Sequence, residues 1–256
     1  MSIATALRRV EATRYVTPLR EGGSLPGLVE ADDSGLYVTK FRGAGQGPLA
    51  LVAEVIVGEL ARAIGLPVPE QVIVEIDPAL GLGEPDPEIQ DLIVASAGEN
   101  LGVDFLPGAA GYSPALGWKP DPRLAADVVW LDALVTNVDR TPRNPNLLLW
   151  HDQLWLIDHG ATLYLQHRGL RPLAQASRPF PQIAEHVLLG AASSITAADE
   201  RLAARVDRGL LDSIVALVPP AWFVGEPAET YVEYLLRRLE PPRSFAQEAE
   251  DARASA

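Results

Sequence analysis

The chain contains no cysteine. That excludes disulfides, thiolate metal sites and a cysteine nucleophile. Long apolar runs are also missing, so no stretch is long enough to span a membrane. The N-terminus lacks a basic-then-apolar leader, and the expectation is a cytoplasmic protein. Positive charge is scarce: 21 Lys and Arg face 34 Asp and Glu, for a net charge of −13. Such a balance argues against a nucleic-acid partner. With no basic amphipathic helix, it also argues against a membrane surface. The four histidines are scattered without zinc-ligand spacing, and His159 beside Asp158 has no further histidine partners of the kind an HD-type hydrolase needs. Lysine is nearly absent: only Lys40 and Lys119 occur, and the other basic side chains are arginine. In such a chain each lysine invites a reason. A compact ammonium serves as a point charge on phosphate where a forked guanidinium would not fit. Lys119, in a Trp-Lys-Pro loop, reads as incidental.

What is present centres on residues 137–160. Two short apolar runs, 147–150 and 154–157, flank a polar tripeptide, the pattern of a tight β-hairpin. Asp139 and Asn144 precede the first strand and Asp158 follows the second. A hairpin brings its open ends together, so these side chains should converge. Carboxylate and amide oxygens converging on one point suit Mg²⁺ and a phosphoryl group. Asn146, nearer the strand, competes with Asn144 for the metal: Asn144 is preferred on spacing, though adjacency to the strand favours Asn146. The helix predicted before this loop starts at Asp121-Pro122, runs to about Thr136 and is apolar nearly all round, so it should be buried. Asp127 and Asp132 on it lie five apart on different faces and read as structural caps or pairs. Arg140 and Arg143 flank Asp139, as ligands for phosphate, as counter-charges for the acidic cluster, or as surface salt bridges.

Upstream, Gly22, Gly23 and Ser24 lie in a glycine-rich turn, 20–27, between two candidate strands. Such turns let backbone N–H groups approach phosphate. Residues 28–31 and 36–41 read as paired strands around Asp32-Asp33-Ser34-Gly35, with Lys40 near the end of the second. A helix follows, with Pro48 in its first turn and Gly65 past its end. On its wheel Glu54 has Ala50, Leu51, Val57 and Gly58 as neighbours, an apolar face on which an unpaired carboxylate is costly. Glu59 lies about 140° away with Arg62 three residues on, and reads as a solvated pair. Glu54 is therefore the candidate partner of Lys40. Residues 71–76 read as a strand, 87–97 as a helix, and 101–106 as a strand that breaks at Pro107-Gly108. Later, 183–189, 196–217 and 228–239 read as amphipathic helices, and 240–256 as a frayed tail. His167, Arg168, Arg171 and Arg178 form a loose basic segment.

The interval Asp139 to Asn144 matches the D-x-x-x-x-N of kinase catalytic loops, and Ile157-Asp158-His159-Gly160 resembles a variant of D-F-G. With the order base, amide, hairpin, acidic residue, the stretch from about Tyr15 to Tyr164 resembles the HipA-like kinases, a branch of the kinase fold similar to the phosphatidylinositol kinases with their Asp-Arg loops. Two departures stand out: Asn137-Val138 occupies the place of the histidine before the catalytic Asp, and His159 replaces the Phe. The resemblance implies an α+β, two-lobed protein-kinase-like fold with a small antiparallel-sheet N-terminal lobe (1–107), a mainly helical C-terminal lobe (108–240) and a flexible tail (241–256). It implies ATP and Mg²⁺ as cofactors and an unknown hydroxyl acceptor, protein serine or threonine favoured, with a small-molecule or lipid kinase and a nucleotide-binding pseudokinase as alternatives. By the same resemblance Asp139 is the catalytic base, Lys40 binds phosphate and Glu54 orients Lys40. Asn144 or Asn146 with Asp158 holds metal. Gly22, Gly23 and Ser24 cover phosphates, and the backbone at Phe105 and Leu106 meets adenine.

Overall fold

A computed structural model describes residues 5–19, 25–163, 172–225 and 227–255. The first part of the chain is a mixed sheet closed on itself. Strands β1 (Arg8–Pro18), β2 (Gly27–Ala31), β3 (Leu36–Lys40), β4 (Gln71–Ile76) and β5 (Gly98–Asp104) run in the order β1-β2-β3-β5-β4. Neighbours are antiparallel except β1 and β4, which pair in parallel from Arg8↔Val72 to Glu11↔Glu75. The expectation of a purely antiparallel sheet is corrected here: the long crossover between β1 and β4 lets them run the same way, and their pairing removes both edges. The interior holds Val10, Val29, Tyr37, Val72, Val74 and Ile93. It is tight enough that a Cβ on Gly102 would meet the Val74 and Val72 side chains at 2.5 and 2.8 Å.

Helix α1 (Gly47–Ile64) crosses from β3 to β4. Gly65 ends it at φ 92°, with Gly65 N–H bonded to Arg62 O and Leu66 N–H to Ala61 O, a Schellman closure. Glu59 pairs with Arg62 at 3.2 Å, but at 8% exposure it is buried, contrary to the solvated reading. The cause is the chain after the helix: Val68 and Pro69 fold back and accept hydrogen bonds from Arg62, covering the pair. Helix α2 (Pro87–Ala95), capped by Asp86, stops two residues earlier than its pattern suggests, and β5 starts at Gly98 rather than at 101 because Gly98 already pairs with Ile76.

Beyond β5, a short strand β6 (Ala110–Gly111) joins the hairpin β7 (Leu147–Trp150) and β8 (Gln153–Leu156) in a three-stranded sheet. The turn is two residues, His151 at φ 50° and Asp152 at φ 58°, so β8 begins one residue before the expected 154. Two positive φ angles match the twist that a tight hairpin demands. Helix α3 (Pro122–Leu134) is capped by Asp121 and buried on nearly every side.

Among the described residues after β8, four α-helices follow: α4 (Ile195–Leu202), α5 (Arg208–Val215), α6 (Ala228–Leu239) and α7 (Ser244–Ala254). The single helix expected over 196–217 is two, because the Asp207 side chain accepts the Leu210 N–H and starts a new helix. The segment 183–189 forms short 3₁₀ turns, Pro181–Glu185 and Leu189–Ala191, instead of an α-helix. Residues read as a frayed tail include α7, where Phe245 packs on Trp130 at 5.9 Å and Glu250 accepts the Ile195 and Thr196 N–H groups at the start of α4. Among the described residues no helix is long and apolar enough to cross a membrane.

Candidate active site

The site forms where β3, α1, the loop after α3 and the end of β8 meet. Lys40 closes β3, and its side chain is 12% exposed. Its Nζ donates to Glu54 Oε1 and, at 2.6 Å, to Asp158 Oδ1. Glu54, 2% exposed, also accepts the backbone N–H of His159 at Oε2 (2.9 Å) and of Gly160 at Oε1 (2.7 Å). A Cβ on Gly160 would lie 3.0 Å from that Oε1, so only glycine permits this approach without a shift. The carboxylate of α1 thus joins the sheet's lysine to the turn after Asp158.

Charge explains why the cluster holds. Burial holds the Glu54 carboxyl above its ordinary value, with Lys40 pulling against that rise and Asp158 adding to it. Three donors converge on its two oxygens, the set an ionised carboxylate requires. Desolvation works against the Lys40 ammonium, but Glu54 and Asp158 together hold it above its ordinary value. Asp158 is brought down to about 2: burial opposes ionisation, and the nearby Lys40 ammonium more than offsets it. Its side chain is 43% exposed, which leaves it open toward a ligand. Asp158 sits at φ 57°, a left-handed backbone that turns the chain sharply after β8 and aims His159 and Gly160 at Glu54.

Asp139 lies in the loop after α3. Its N–H bonds to Asn137 Oδ1 at 3.0 Å. Its Oδ2 accepts Nδ2 of Asn144 at 2.9 Å and of Asn146 at 3.3 Å. The two amides differ in setting. Asn144 is exposed and turns back on Thr141. Asn146, at φ 49°, is partly buried, and its carbonyl accepts Arg140 Nη1 and the N–H of Ile157, the residue before Asp158. Asn146 is therefore tied through the backbone to the Asp158 turn, whereas Asn144 is not.

Arg140 is neither a phosphate-facing group nor a surface salt bridge. It is 1% exposed, and its Nε donates to Asp132 Oδ2 at 2.5 Å. Asp132 also accepts from Asn137 Nδ2 and His186 Nε2, each at 2.8 Å. Sequence reasoning placed Asp132 among structural pairs but did not find this cluster. The signal was available: an acidic residue on a helix apolar nearly all round needs a buried partner, the same reasoning that singled out Glu54. Asp127, the other helix acid, pairs with Arg201 at 2.8 Å, and Arg143 is exposed. His159 is buried, and burial first, then the Arg140 charge, lowers it to about 3, so it is neutral.

Gly22, Gly23, Ser24, His167, Arg168 and Arg171 lie outside the described residues. Phe105 and Leu106 follow β5, but the Phe105 N–H is already given to Leu36 O at 2.9 Å and is not available to a base. A cavity of about 320 Å³ opens beside Leu25, Gly43 and Gly45, with Glu88 and Asp91 in its wall. Those carboxylates make it a poor host for phosphate, and Lys40 does not line it.

A family model described as HipA-like kinase matches residues 13–241. The chain belongs to the HipA-like kinases, and its enzyme class is kinase. Among solved structures it is similar to the Helicobacter pylori proinflammatory kinase CtkA, at 13% identity and a TM-score of 0.55, covering 100% of this chain and 99% of that one. At that identity the likeness speaks for the fold. No curated protein matches the chain.

Proposed function

We propose that this kinase is a two-lobed, ATP- and Mg²⁺-dependent phosphotransferase acting on a protein serine or threonine hydroxyl. The closed sheet with α1 (1–107) serves as the nucleotide lobe and 108–240 as the helical lobe. The observation that carries the reading is the Lys40 ammonium, held between Glu54 and Asp158, with Glu54 fastened to the His159 and Gly160 backbone. Such an arrangement presents one fixed positive charge to phosphate and one open carboxylate beside it.

The residues fit the groups implied. Mg²⁺ favours oxygen ligands and is usually held by one or two protein groups, with phosphates and water completing its shell. Among the described residues no group of three or more His, Asp or Glu could enclose a metal, which suits an ion shared with ATP. Asp158 and the amide oxygen of Asn146 would hold it; bound there, the ion neutralises charge on the phosphates. Asn146 is preferred to Asn144 because its backbone is tied to Ile157. Asn144, bonded to Asp139 Oδ2, orients the base instead. Lys40 steadies the α- and β-phosphates. Adenine would lie against the turn after β5, through groups other than the Phe105 N–H. The acceptor oxygen attacks the γ-phosphorus, its proton passes to the Asp139 carboxylate, and the bond from the γ-phosphorus to the bridging oxygen breaks, releasing ADP. Asp139 accepts this proton because both amides hold its carboxylate at the mouth of the loop.

The test is nucleotide affinity by calorimetry beside label transfer from γ-labelled ATP. Asp139→Asn should cut transfer by about 10²–10⁴-fold with little change in ATP affinity. Lys40→Ala should weaken both. No transfer by the parent across many acceptors would favour a nucleotide-binding pseudokinase.

A further inference from the structure

We infer that Asp132, Arg140 and His186 form a buried positioning unit that sets the Asp139 carboxylate against the Asn146–Asp158 pair. The inference rests on the roles proposed above for those residues. Its basis is the reach of one guanidinium. Arg140 follows Asp139 in the chain, yet its side chain turns inward beneath the loop. Nη1 meets the carbonyl of Asn146 and lies 3.5 Å from that of Ile157, while Nη2 is 3.3 Å from His159 Nδ1. Arg140 therefore touches the neighbour on each side of Asp158 as well as the backbone of Asn146. Its Nε ends on Asp132, so these contacts are referred to the rigid helix α3.

His186 completes the unit from a distant part of the chain. Its Nδ1 accepts the Leu188 N–H at 3.1 Å, so the proton of the neutral ring sits on Nε2 and is donated to Asp132. Next to it, the Val187 N–H bonds to Arg140 O at 3.1 Å, a direct backbone clip on the loop. Burial is complete enough to make the unit act as a whole: Asp132 is 0%, Arg140 1% and His186 6% exposed. Removing one partner leaves a buried charge short of its donors, and the loop must move to restore them. A displacement of about 1 Å at a catalytic group costs on the order of 10²-fold in rate. All three are buried, so they are positioning residues and act through Asp139.

The experiment uses the full chain with γ-labelled ATP, reading autophosphorylation, KM for ATP and hydrogen exchange of peptides covering 137–147 and 155–160. His186→Ala and Arg140→Lys should lower kcat by on the order of 10²-fold while KM for ATP stays within about twofold. His186→Gln, whose amide can donate in place of Nε2, should recover most of the loss and keeps the test valid should His186→Ala not fold. Asp127→Asn breaks an ion pair elsewhere on α3 and should leave kcat within about twofold. Unchanged kcat in both Arg140→Lys and His186→Ala overturns the inference, as does an equal loss in Asp127→Asn. A loss carried by KM overturns it too. Failure of the parent to transfer phosphate would count against the proposed function alone. Exchange then decides for the unit: faster exchange of 137–147 in His186→Ala or Arg140→Lys, but not in Asp127→Asn, supports it, and equal exchange in all three overturns it.

Discussion

At the scale of single residues, the cluster's behaviour with pH follows from what is buried neutral. His159 is held down to about 3 by burial and by Arg140, and His186 is lowered by burial despite its bond to Asp132. In the unfolded chain each histidine binds a proton near pH 6.5. As pH falls below that value the unfolded state gains protons that the folded state refuses, so folding stability declines. For His159 the decline runs from about pH 6.5 to about 3, and each fully active pH unit is worth about 1.4 kcal/mol. Asp132, held well below the usual carboxylate range against burial by Arg140 and His186, adds a loss only as pH drops below about 4. Urea unfolding at pH 7, 6 and 5 should show this slope, and His159→Phe should flatten it by about one proton. An unaltered slope in His159→Phe would mean that the ring takes up its proton while folded. Glu54→Gln keeps the shape but removes the charge that holds Lys40. ATP affinity should fall by about tenfold or more, since charge-assisted bonds contribute on the order of 1.5–3 kcal/mol. Unchanged calorimetric affinity would detach Glu54 from the phosphate site.

At the scale of elements, α1 and α7 make opposite points. The cap, proline and apolar face of α1 are local signals, and the helix appears within a residue of where they place it. For α7 the composition of 240–256, rich in Pro, Glu and Ala, suggested a tail, and Phe245 is the one large apolar side chain of the helix. Its order is tertiary: Phe245 lies between Trp130 and the Arg238 guanidinium, and Glu250 caps α4. Phe245→Ala should therefore cost about 3–5 kcal/mol in urea unfolding, whereas removal of a disordered tail residue would cost nothing. A cost below about 0.5 kcal/mol would show that α7 is dispensable for folding.

At the scale of the molecule, a net charge of −13 surrounds a site meant to accept a polyanion. Salt screens such repulsion over roughly 8–10 Å at moderate ionic strength. The association rate of ATP measured by stopped flow should thus rise as salt is added from low concentration, the reverse of a basic nucleotide-binding protein. A rate that falls with salt would indicate that the field near Lys40 is positive out to the distance where ATP is captured. Closure of the sheet by the parallel β1–β4 pair belongs to this scale as well, since neither strand's own pattern states which partner it will take.

The sequence by itself determined which chemistry was available. The absence of cysteine, the two lysines, the acid on an apolar helix face and the Asp-loop-hairpin-Asp order are properties of residue type and spacing. Chain connectivity and helical period are enough to read them. Tertiary structure decided what depends on residues far apart in the chain. Examples are the covering of Glu59 by the returning chain at Val68 and Pro69, and the closing of the sheet by β1 and β4. His186 reaching Asp132 across 54 positions, and Arg140 turning inward from the Asp139 loop, belong to the same set. The physical reason is that a buried charge must find a partner wherever the packed chain supplies one, and local patterns carry the need for that partner without its address.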